Sequence, residues 1–246
     1  MGQITVSIVS HGHGTLLPGL LSDLAACPEV AAVIITRNIP EPALDIVRPG
    51  WLTIIDNPQP KGFGANHNAA FQYANTPNFA VLNPDIRLAG NPFPVLLESL
   101  EKEGAVLSAP AVLNPVGGLE DSARHFPSMI DLVLKALHRY DGRLQYALGD
   151  PPLPAPWVAG MFMLLRNEDF AALAGFDEGF FLYYEDVDLC ARIWESGRKV
   201  MLCPSDHVVH DARRASRRNL RHMVWHATSM ARYLRKHFWR SFRRSL

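Results

Sequence analysis

The first part of the chain alternates short apolar runs with stretches of helical spacing, and this alternation constrains the fold more than any other feature. The apolar runs predict strands at Ile4–Val9, Val30–Thr36, Trp51–Asp56, Phe79–Leu82 and Ala105–Ala109. The stretches between them predict helices at Leu16–Ala26, Ala65–Tyr73 and Pro92–Glu103. Strands that alternate with helices are typical of an α/β fold with a mostly parallel sheet. We therefore expect ligands beyond the carboxyl ends of the strands, where His11, Asn38, Asp56 and Asp85 fall.

The second half of the chain has a less regular start. Residues 114–156 are rich in Pro and Gly and predict an irregular insertion on the domain, with one helix near Ile130–Tyr140. Regular patterns then return and predict strands at Trp157–Leu165 and Lys199–Cys203 and helices at Glu168–Ala174 and Asp186–Ser196. We predict one domain over residues 1–211, followed by an extension over residues 212–246.

The charge of the chain is divided unevenly between these two parts. Lys and Arg total 24, as do Asp and Glu, but residues 212–246 hold 11 of the basic residues and no acid. The first 211 residues therefore carry 13 basic residues against 24 acidic ones, a net charge of −11. This acidic body, which contains no recognised nucleic-acid module, argues against nucleic acid as the partner of the basic extension.

The basic extension has the pattern of an amphipathic helix from Leu220 to Leu246. At about 100° per residue, its apolar side chains fall on one stripe. The stripe consists of Leu220, Met223, Val224, Ala227, Met230, Ala231, Leu234, Phe238 and Phe242. Two interpretations stay open: the stripe docks on the domain, or the helix binds an anionic membrane surface.

Cysteine usage and hydropathy bear on the compartment. Cys27, Cys190 and Cys203 lack CxxC spacing, which argues against a disulfide framework or a zinc site and suits a reducing cytosol. The start of the chain has no basic leader, so we expect no secretory signal. The longest apolar run, Trp157–Leu165, is far shorter than the roughly 20 residues that span a bilayer. We expect a cytoplasmic protein with peripheral membrane contact.

Three groups of residues could carry chemistry. Asp85 follows a strand and an Asn-Pro turn, so it either caps a turn or binds a divalent cation. Glu185, Asp186 and Asp188 follow a run of bulky apolar and aromatic residues. Acids are favoured at a helix N-terminus, but an acid beside apolar walls can also serve as a general base. His210 is either structural or a metal ligand.

Several motifs occur in the order seen in family 2 glycosyltransferases, and the chain resembles the bacterial branch that includes rhamnosyltransferases. These motifs are Gly62-Phe63-Gly64-Ala65-Asn66-His67-Asn68, Asn83-Pro84-Asp85, Gly160 with Arg166, Gly175-Phe176-Asp177-Glu178 with Phe181, Glu185-Asp186-Val187-Asp188-Leu189, and the late His210. The resemblance covers about residues 3–211. It implies a GT-A fold that binds a nucleotide-diphospho-sugar and, with Mg²⁺ or Mn²⁺ on the diphosphate, transfers the sugar to a glycan or lipid-linked acceptor with inversion.

The resemblance also implies roles for individual residues. Asp85 and His210 match metal ligands, and Asp186 matches the general base. Glu185 and Asp188 are expected to orient the acceptor or to cap the helix. The implied donor-binding residues are His11, Asn38, Lys61, Gly62, Asn66, Asn83 and Arg124. A lipid-linked acceptor in surface-polysaccharide synthesis would place the protein at the inner face of the cytoplasmic membrane, in agreement with a membrane-binding extension.

Two departures from the family pattern leave alternatives open. Asn83 replaces the first acid of the Asp-x-Asp motif, and Arg37 stands where the second strand usually ends in an acid; we expect Arg37 to be a solvated loop charge. A sugar-phosphate nucleotidyltransferase shares a related fold, although its Arg-containing phosphate loop is missing from Ser10–Thr15. A non-catalytic protein that binds nucleotide-sugar or glycan is the third possibility, because the metal site has one charge fewer.

Overall fold

The structure is a computed structural model that describes residues 2–41, 50–127, 141–210 and 220–241, with only the backbone for 238–241. The helix predicted near Ile130–Tyr140 and the predicted stripe residue Phe242 lie outside these ranges. The strands are β1 (Ile4–Ser10), β2 (Val30–Arg37), β3 (Leu52–Asp56), β4 (Asn78–Leu82), β5 (Ile86–Leu88), β6 (Ala105–Leu113), β7 (Ala123–Arg124), β8 (Leu153–Pro154), β9 (Trp157–Val158), β10 (Phe162–Arg166) and β11 (Lys199–His210). The helices are α1 (Leu17–Ala25), α2 (Phe63–Phe71), α3 (Phe93–Lys102), α4 (Asn167–Ala172), α5 (Glu185–Glu195) and α6 (Leu220–Ser241).

The main sheet has the strand order β3-β2-β1-β4-β10-β6-β11-β5, with β8 also paired to β11. Strands β1 to β4 pair in parallel in the order β3-β2-β1-β4, and β6 pairs in parallel with β11. The α/β fold predicted from the alternating pattern is confirmed. The sheet is mixed, because β10 runs antiparallel between β4 and β6.

Helices cover both faces of the sheet. Apolar residues of α1 and α3 pack on one face, and those of α2, α4 and α5 pack on the other. Strands β4 and β6 are therefore buried along their whole length, which explains why they read as continuous apolar runs rather than alternating ones. The carboxyl ends of β1, β2, β3 and β4 meet at one edge of this three-layer core, so the predicted polar residues gather there.

The strand predicted at Trp157–Leu165 is interrupted. Strand β9 pairs with β7 in a separate small sheet, and β10 begins at Phe162. Gly160 lies in the break, where a Cβ atom would come within 3.2 Å of the Phe63 ring. The break exposes the Gly160 N–H, which the candidate active site uses.

Helix α6 docks on the domain through a face that the sequence did not predict. Ser229, Tyr233 and His237, spaced four residues apart, are buried against the domain. In the predicted apolar stripe, Leu220 is 77% exposed, and Met223 and Val224 are each 59% exposed. Docking through the apolar stripe is therefore wrong for this part of the helix, because hydrogen bonds, ring contacts and ion pairs of the opposite face hold it in place.

Candidate active site

Three asparagines form a network at the carboxyl ends of β2 and β3. The Asn38 side chain forms two hydrogen bonds with the backbone of Lys61. Its Nδ2 donates to the Lys61 carbonyl at 2.9 Å, and its Oδ1 accepts from the Lys61 N–H at 2.8 Å. Asn57 Nδ2 donates both to Asn38 Oδ1 at 2.9 Å and to Asn66 Oδ1 at 2.6 Å. Asn66 Nδ2 lies 3.0 Å from the Gly62 carbonyl. Asn38 and Asn66 therefore shape the turn at Lys61 and Gly62.

The loop after β1 is held by Glu41. Its carboxylate accepts from the Ser10 hydroxyl at 2.8 Å and from the Gly12 N–H at 2.7 Å. Gly12 has a φ of +84°, a conformation that glycine adopts without strain. His11 lies beside Asn38, with 3.3 Å between His11 Nδ1 and Asn38 Nδ2. Partial desolvation lowers the pKa of His11, as does the nearby His13. The imidazole of His11, which was predicted to contact the nucleotide-sugar, is therefore neutral at pH 7.

Sequence reasoning missed both Glu41 and Asn57. Asn57 directly follows β3, in the same way that Asn38 follows β2, so the rule that selected Asn38 would also have selected Asn57. Glu41 had no such signal, because it lies past the end of its strand in a Pro-containing loop. The expectation for Arg37 was wrong: its guanidinium pairs with Asp56 at 2.5 Å and 2.7 Å, because neighbouring parallel strands end side by side.

Asp85 and His210 meet at the edge of the sheet between β5 and β11. His210 lies opposite Ile86 in this antiparallel pair, which brings its Nε2 to 3.2 Å from Asp85 Oδ1. Asp85 Oδ1 and His210 Nδ1 are buried, and neither has a hydrogen-bond partner among the described residues. Asn83, on the same turn, donates its N–H to the Met161 carbonyl and so ties the turn to β10.

The donor set at this edge fits a divalent cation in part. A carboxylate oxygen and an imidazole nitrogen suit Mg²⁺ or Mn²⁺, and their separation is close to the roughly 3 Å between neighbouring ligands of an octahedral ion with bonds near 2.1 Å. Over the ranges that the structure describes, no cluster of three or more His, Cys, Asp or Glu side chains could hold a metal. The protein would thus supply two ligands, Asp85 and His210, and leave the others to substrate or water.

Asp186 lies at the start of α5, against the break between β9 and β10. Its Oδ2 accepts from the Gly160 N–H at 3.0 Å, and its Oδ1 accepts from the Val187 N–H at 2.8 Å. Burial raises the pKa of Asp186, and these hydrogen bonds only partly oppose the rise. Burial, and then repulsion from Asp186, raises the pKa of Glu185, whose Oε2 is buried without a described partner. A carboxylate with a raised pKa is suited to proton transfer.

The turn at Gly62 contacts the segment that leads into α5. The Phe63 N–H donates to the Phe181 carbonyl at 2.9 Å, and a Cβ atom on Gly62 would lie only 2.6 Å from that same oxygen. Gly160 and Asp186 lie directly behind Phe63. The predicted donor turn and the predicted base are thus brought together, although they are more than 120 residues apart.

Asp188 faces away from this site, which corrects the expectation that it orients the acceptor. Its side chain is fully buried, and its oxygens pair with Arg192 at 2.8 Å, Lys236 at 2.7 Å and His237 at 2.9 Å. Burial alone would raise the pKa of Asp188, but its hydrogen bonds to His237 and Lys236 and the charge of Arg192 lower it to about 2. Asp188 therefore joins α5 to α6.

Arg124 lies on β7, which pairs with β9 just before the break at Gly160. Its guanidinium forms a two-point ion pair with Asp121, which occupies much of its hydrogen-bonding capacity. The negative charge of Asp186 adds to burial in raising the pKa of the Tyr184 phenol, while Arg124 opposes that rise. Arg124 is therefore close enough to act through its charge on Tyr184, which precedes Glu185 and Asp186.

Comparisons with known proteins point to glycosyltransferases. Residues 144–214, which contain α5 and β11, match the family model described as the N-terminal domain of galactosyltransferase. The chain is 28% identical over 255 residues to the rhamnosyltransferase WbbL of Escherichia coli, covering 94% of this chain and 92% of that protein. It is 31% identical over 144 residues to an N-acetylglucosaminyl-diphospho-decaprenol L-rhamnosyltransferase of Mycobacterium tuberculosis, covering 53% of this chain and 45% of that one.

Two solved structures share the fold at low sequence identity. GalNAc-T7, solved with UDP, GalNAc and Mn²⁺, superposes with a TM-score of 0.66 at 17% identity, over 87% of this chain and 44% of that one. The mannosyltransferase PcManGT of Pyrobaculum calidifontis, solved with GDP-Man and Mn²⁺, gives 0.62 at 15% identity, over 98% of this chain and 64% of that one. The chain therefore spans only part of these structures, which support the fold alone.

Together, the fold and these relatives define a glycosyltransferase with the GT-A fold. Within that class, the chain is similar to bacterial rhamnosyltransferases, which supports the resemblance to the rhamnosyltransferase-like branch of family 2. The resemblance stated from the motifs is confirmed, and glycosyl transfer is favoured over nucleotidyl transfer and over binding without turnover.

Proposed function

We propose that the protein transfers a sugar, with rhamnose as the leading candidate, from a nucleotide-diphospho-sugar to an acceptor hydroxyl, with Asp186 as the general base. The observation that carries this proposal is the placement of Asp186, which has a raised pKa and is held by the Gly160 N–H directly beside the Gly62-Phe63 turn. Uncharged hydrogen-bond donors, and no cation, contact this carboxylate among the described residues. It is thus available to accept a proton.

The reaction follows from this placement. The acceptor oxygen forms a bond to the anomeric carbon while the bond from that carbon to the diphosphate oxygen breaks. The electron pair of the broken bond leaves with the nucleoside diphosphate, and the acceptor proton moves to Asp186. Because attack and departure occur on opposite faces of the sugar, the anomeric configuration inverts.

We propose that Asp85 and His210 hold a divalent cation, Mg²⁺ or Mn²⁺, together with oxygens of the donor. The buried Asp85 Oδ1, which has no hydrogen-bond partner among the described residues and lies 3.2 Å from His210 Nε2, supports this assignment, as does the Mn²⁺ in both solved structures. A cation at this edge would stabilise the negative charge of the leaving diphosphate. Asn83 adds no charge, so the donor diphosphate would supply the remaining negative ligands.

Asp186→Asn tests the proposed function. The variant keeps the shape of the side chain but loses the base, so transfer should fall by about 10³-fold. Donor binding, measured by calorimetry with a panel of UDP-, dTDP- and GDP-linked sugars with and without Mn²⁺, should be unchanged. Transfer would be measured on an N-acetylglucosaminyl-diphospho-lipid, the acceptor class named for the mycobacterial relative. Transfer near the wild-type rate would exclude Asp186 as the base.

We further propose that the protein binds an anionic membrane surface through the outward face of α6, which would bring it to a lipid-linked acceptor. Exposed apolar residues (Leu220, Met223, Val224, Ala227 and Ala231) form a row along this face, and exposed Arg221 and Arg235 lie beside it. Apolar side chains flanked by Arg are typical of interfacial helices. No helix among the residues that the structure describes is long and apolar enough to cross a bilayer.

Vesicle sedimentation tests this surface. Replacing Leu220, Met223 and Val224 together by Ser should release the protein from vesicles that contain phosphatidylglycerol, because the apolar part of the interface is lost. Val116→Ser is the matched control, since Val116 is 91% exposed but lies far from α6 along the chain. Equal sedimentation of the triple variant and wild type would show that this face does not bind lipid.

A further inference from the structure

Residues 180–184, which we name the aromatic segment, lead directly into Glu185 and Asp186 and contact α6 along their whole length. Phe181 stacks on Trp225 with ring centroids 4.9 Å apart, and the Leu182 carbonyl accepts from the Ser229 hydroxyl at 2.8 Å. The remaining contacts are Tyr183 Oη to His222 Nδ1 at 2.9 Å, Tyr184 to His226 and to Tyr233 at centroid distances of 5.3 Å and 5.6 Å, and Arg232 over Phe180 at 5.2 Å. Every residue of the segment thus has a partner on the inward face of α6.

The backbone of this segment is strained at the position that sets the direction of α5. Tyr183 and Tyr184 have φ values of +70° and +67°, and Tyr184 is the residue that caps α5. Consecutive non-glycine residues in this conformation persist only when their surroundings hold them there. On one side the segment is bonded to the donor turn through Phe63 and Phe181, and on the other side its contacts are with α6.

Ion pairs anchor α6 on either side of the aromatic segment. Asp177, just before the segment, pairs with Arg232 at 3.1 Å and with Lys236 at 2.7 Å. Asp188, just after it, pairs with Lys236 and His237. Because the two anchors bracket the segment, α6 cannot shift without changing the support of the strained residues.

We propose that the inward face of α6 is a positioning element for catalysis: His222, Ser229 and Tyr233 hold Tyr183 and Tyr184 in their left-handed conformation and thereby aim Asp186 at the acceptor. This inference rests on the proposed function, since it assigns Asp186 to the reaction. The outward face of the same helix, which we propose binds lipid, is separate from it. One helix would then both deliver the enzyme to the membrane and complete its active site.

The double variant His222→Ala/Ser229→Ala tests the proposal in the full-length protein. With two hydrogen bonds to the aromatic segment lost, we expect kcat to fall tenfold or more while the KM for the donor stays within twofold. We also expect the acid limb of the kcat profile to move to lower pH, as water reaches the Glu185–Asp186 pair. Amide hydrogen exchange of residues 180–186 should rise. Thr228→Ala is the matched control, because its hydroxyl bonds only to carbonyls of its own helix turn.

Substitutions at Tyr184 separate positioning from general stability. Tyr184→Phe keeps the ring contacts, so kcat should stay near the wild-type value. Tyr184→Gly relieves the backbone strain but loses the ring, so kcat should fall. The proposal is overturned if Tyr184→Gly turns over normally. It is also overturned if the double variant loses donor affinity and kcat equally without a change in the pH profile. If the Asp186→Asn variant were active, the proposed function itself would be wrong. That result is distinct from the outcomes that overturn only the positioning role of α6.

Discussion

Asp186 and Asp188 lie two residues apart in the first turn of α5, yet the protein places them in opposite environments. Residues two apart on a helix point about 200° from each other, so one faces Gly160 and the other faces α6. Among the described residues, Asp186 accepts hydrogen bonds only from backbone N–H groups, and its pKa is raised. Asp188 is surrounded by Arg192, Lys236 and His237, and its pKa is lowered to about 2.

The difference shows how one acidic motif supplies both chemistry and structure. A carboxylate surrounded by cations is stabilised in its charged form and is a poor base, because its proton affinity is low. A carboxylate that is desolvated without a cation keeps enough proton affinity to take a proton from a hydroxyl. Basic side chains that come mainly from α6, far along the chain, therefore separate the two roles.

The largest effect that would test this comparison is the loss of Asp188. Asp188→Asn leaves three basic groups around a buried amide, and breaking a buried ion pair in this way costs about 3 kcal/mol of unfolding free energy. Chemical denaturation should show this loss for Asp188→Asn. Asp186→Asn, which removes no ion pair among the described residues, should change stability by less than about 1 kcal/mol.

The control for this experiment is Lys102→Gln, which removes an exposed ion pair with Glu98 and should have little effect. Equal destabilisation by Asp186→Asn and Asp188→Asn would mean that the two carboxylates do not differ in structural role. Wild-type stability of Asp188→Asn would show that the cluster around it contributes no net stability.

Asp186 and Asp188 should also differ in the pH at which their contributions, to activity and to stability respectively, are lost. Because the folded-state pKa of Asp186 is raised, activity should fall with decreasing pH at values above the ordinary Asp pKa of about 3.9. Because the folded-state pKa of Asp188 is lowered to about 2, its contribution to stability is present above about pH 4 and is lost as pH falls toward 2. Kinetics and thermal unfolding over pH 2 to 8 would measure both transitions.

The order of these two transitions is the quantity to examine. Activity should be lost while the protein is still folded, and it should return fully when the pH is raised again. If activity and structure were lost together near pH 3, the carboxylate that limits activity would not have a raised pKa. The assignment of the raised pKa to Asp186 would then be wrong.

The sequence predicted β1, β2 and β4 as strands, because each is a short run made up mainly of apolar residues. It also selected Asp85, Asp186 and His210 through motif order. It could not predict that β10 inserts antiparallel between β4 and β6, since strand order is not encoded in local periodicity.

The docked face of α6 was missed for a related reason. Apolar periodicity predicts which side of a helix avoids water, but it cannot tell a protein partner from a lipid surface. Here the specific contacts of Ser229, Tyr233 and His237 selected the inward face, and their partners lie on distant elements. Polar contacts of this kind depend on the assembled fold and leave no period in the sequence.

The smallest effect concerns Asn57, the residue that connects the donor-side network. Asn57→Ala removes two hydrogen bonds from Asn38 and Asn66, and these hold the backbone of Lys61 and Gly62. Because loss of neutral hydrogen bonds costs roughly 1 kcal/mol, donor affinity should fall about fivefold by calorimetry, with kcat nearly unchanged. Asn91→Ala is the matched control: its amide bonds Glu29 and the Phe93 N–H, away from the carboxyl ends of the strands. If Asn57→Ala instead lowered kcat and left donor affinity unchanged, the asparagine network would act in catalysis together with Asp186. Donor binding and proton transfer would then not be carried out by separate groups of residues.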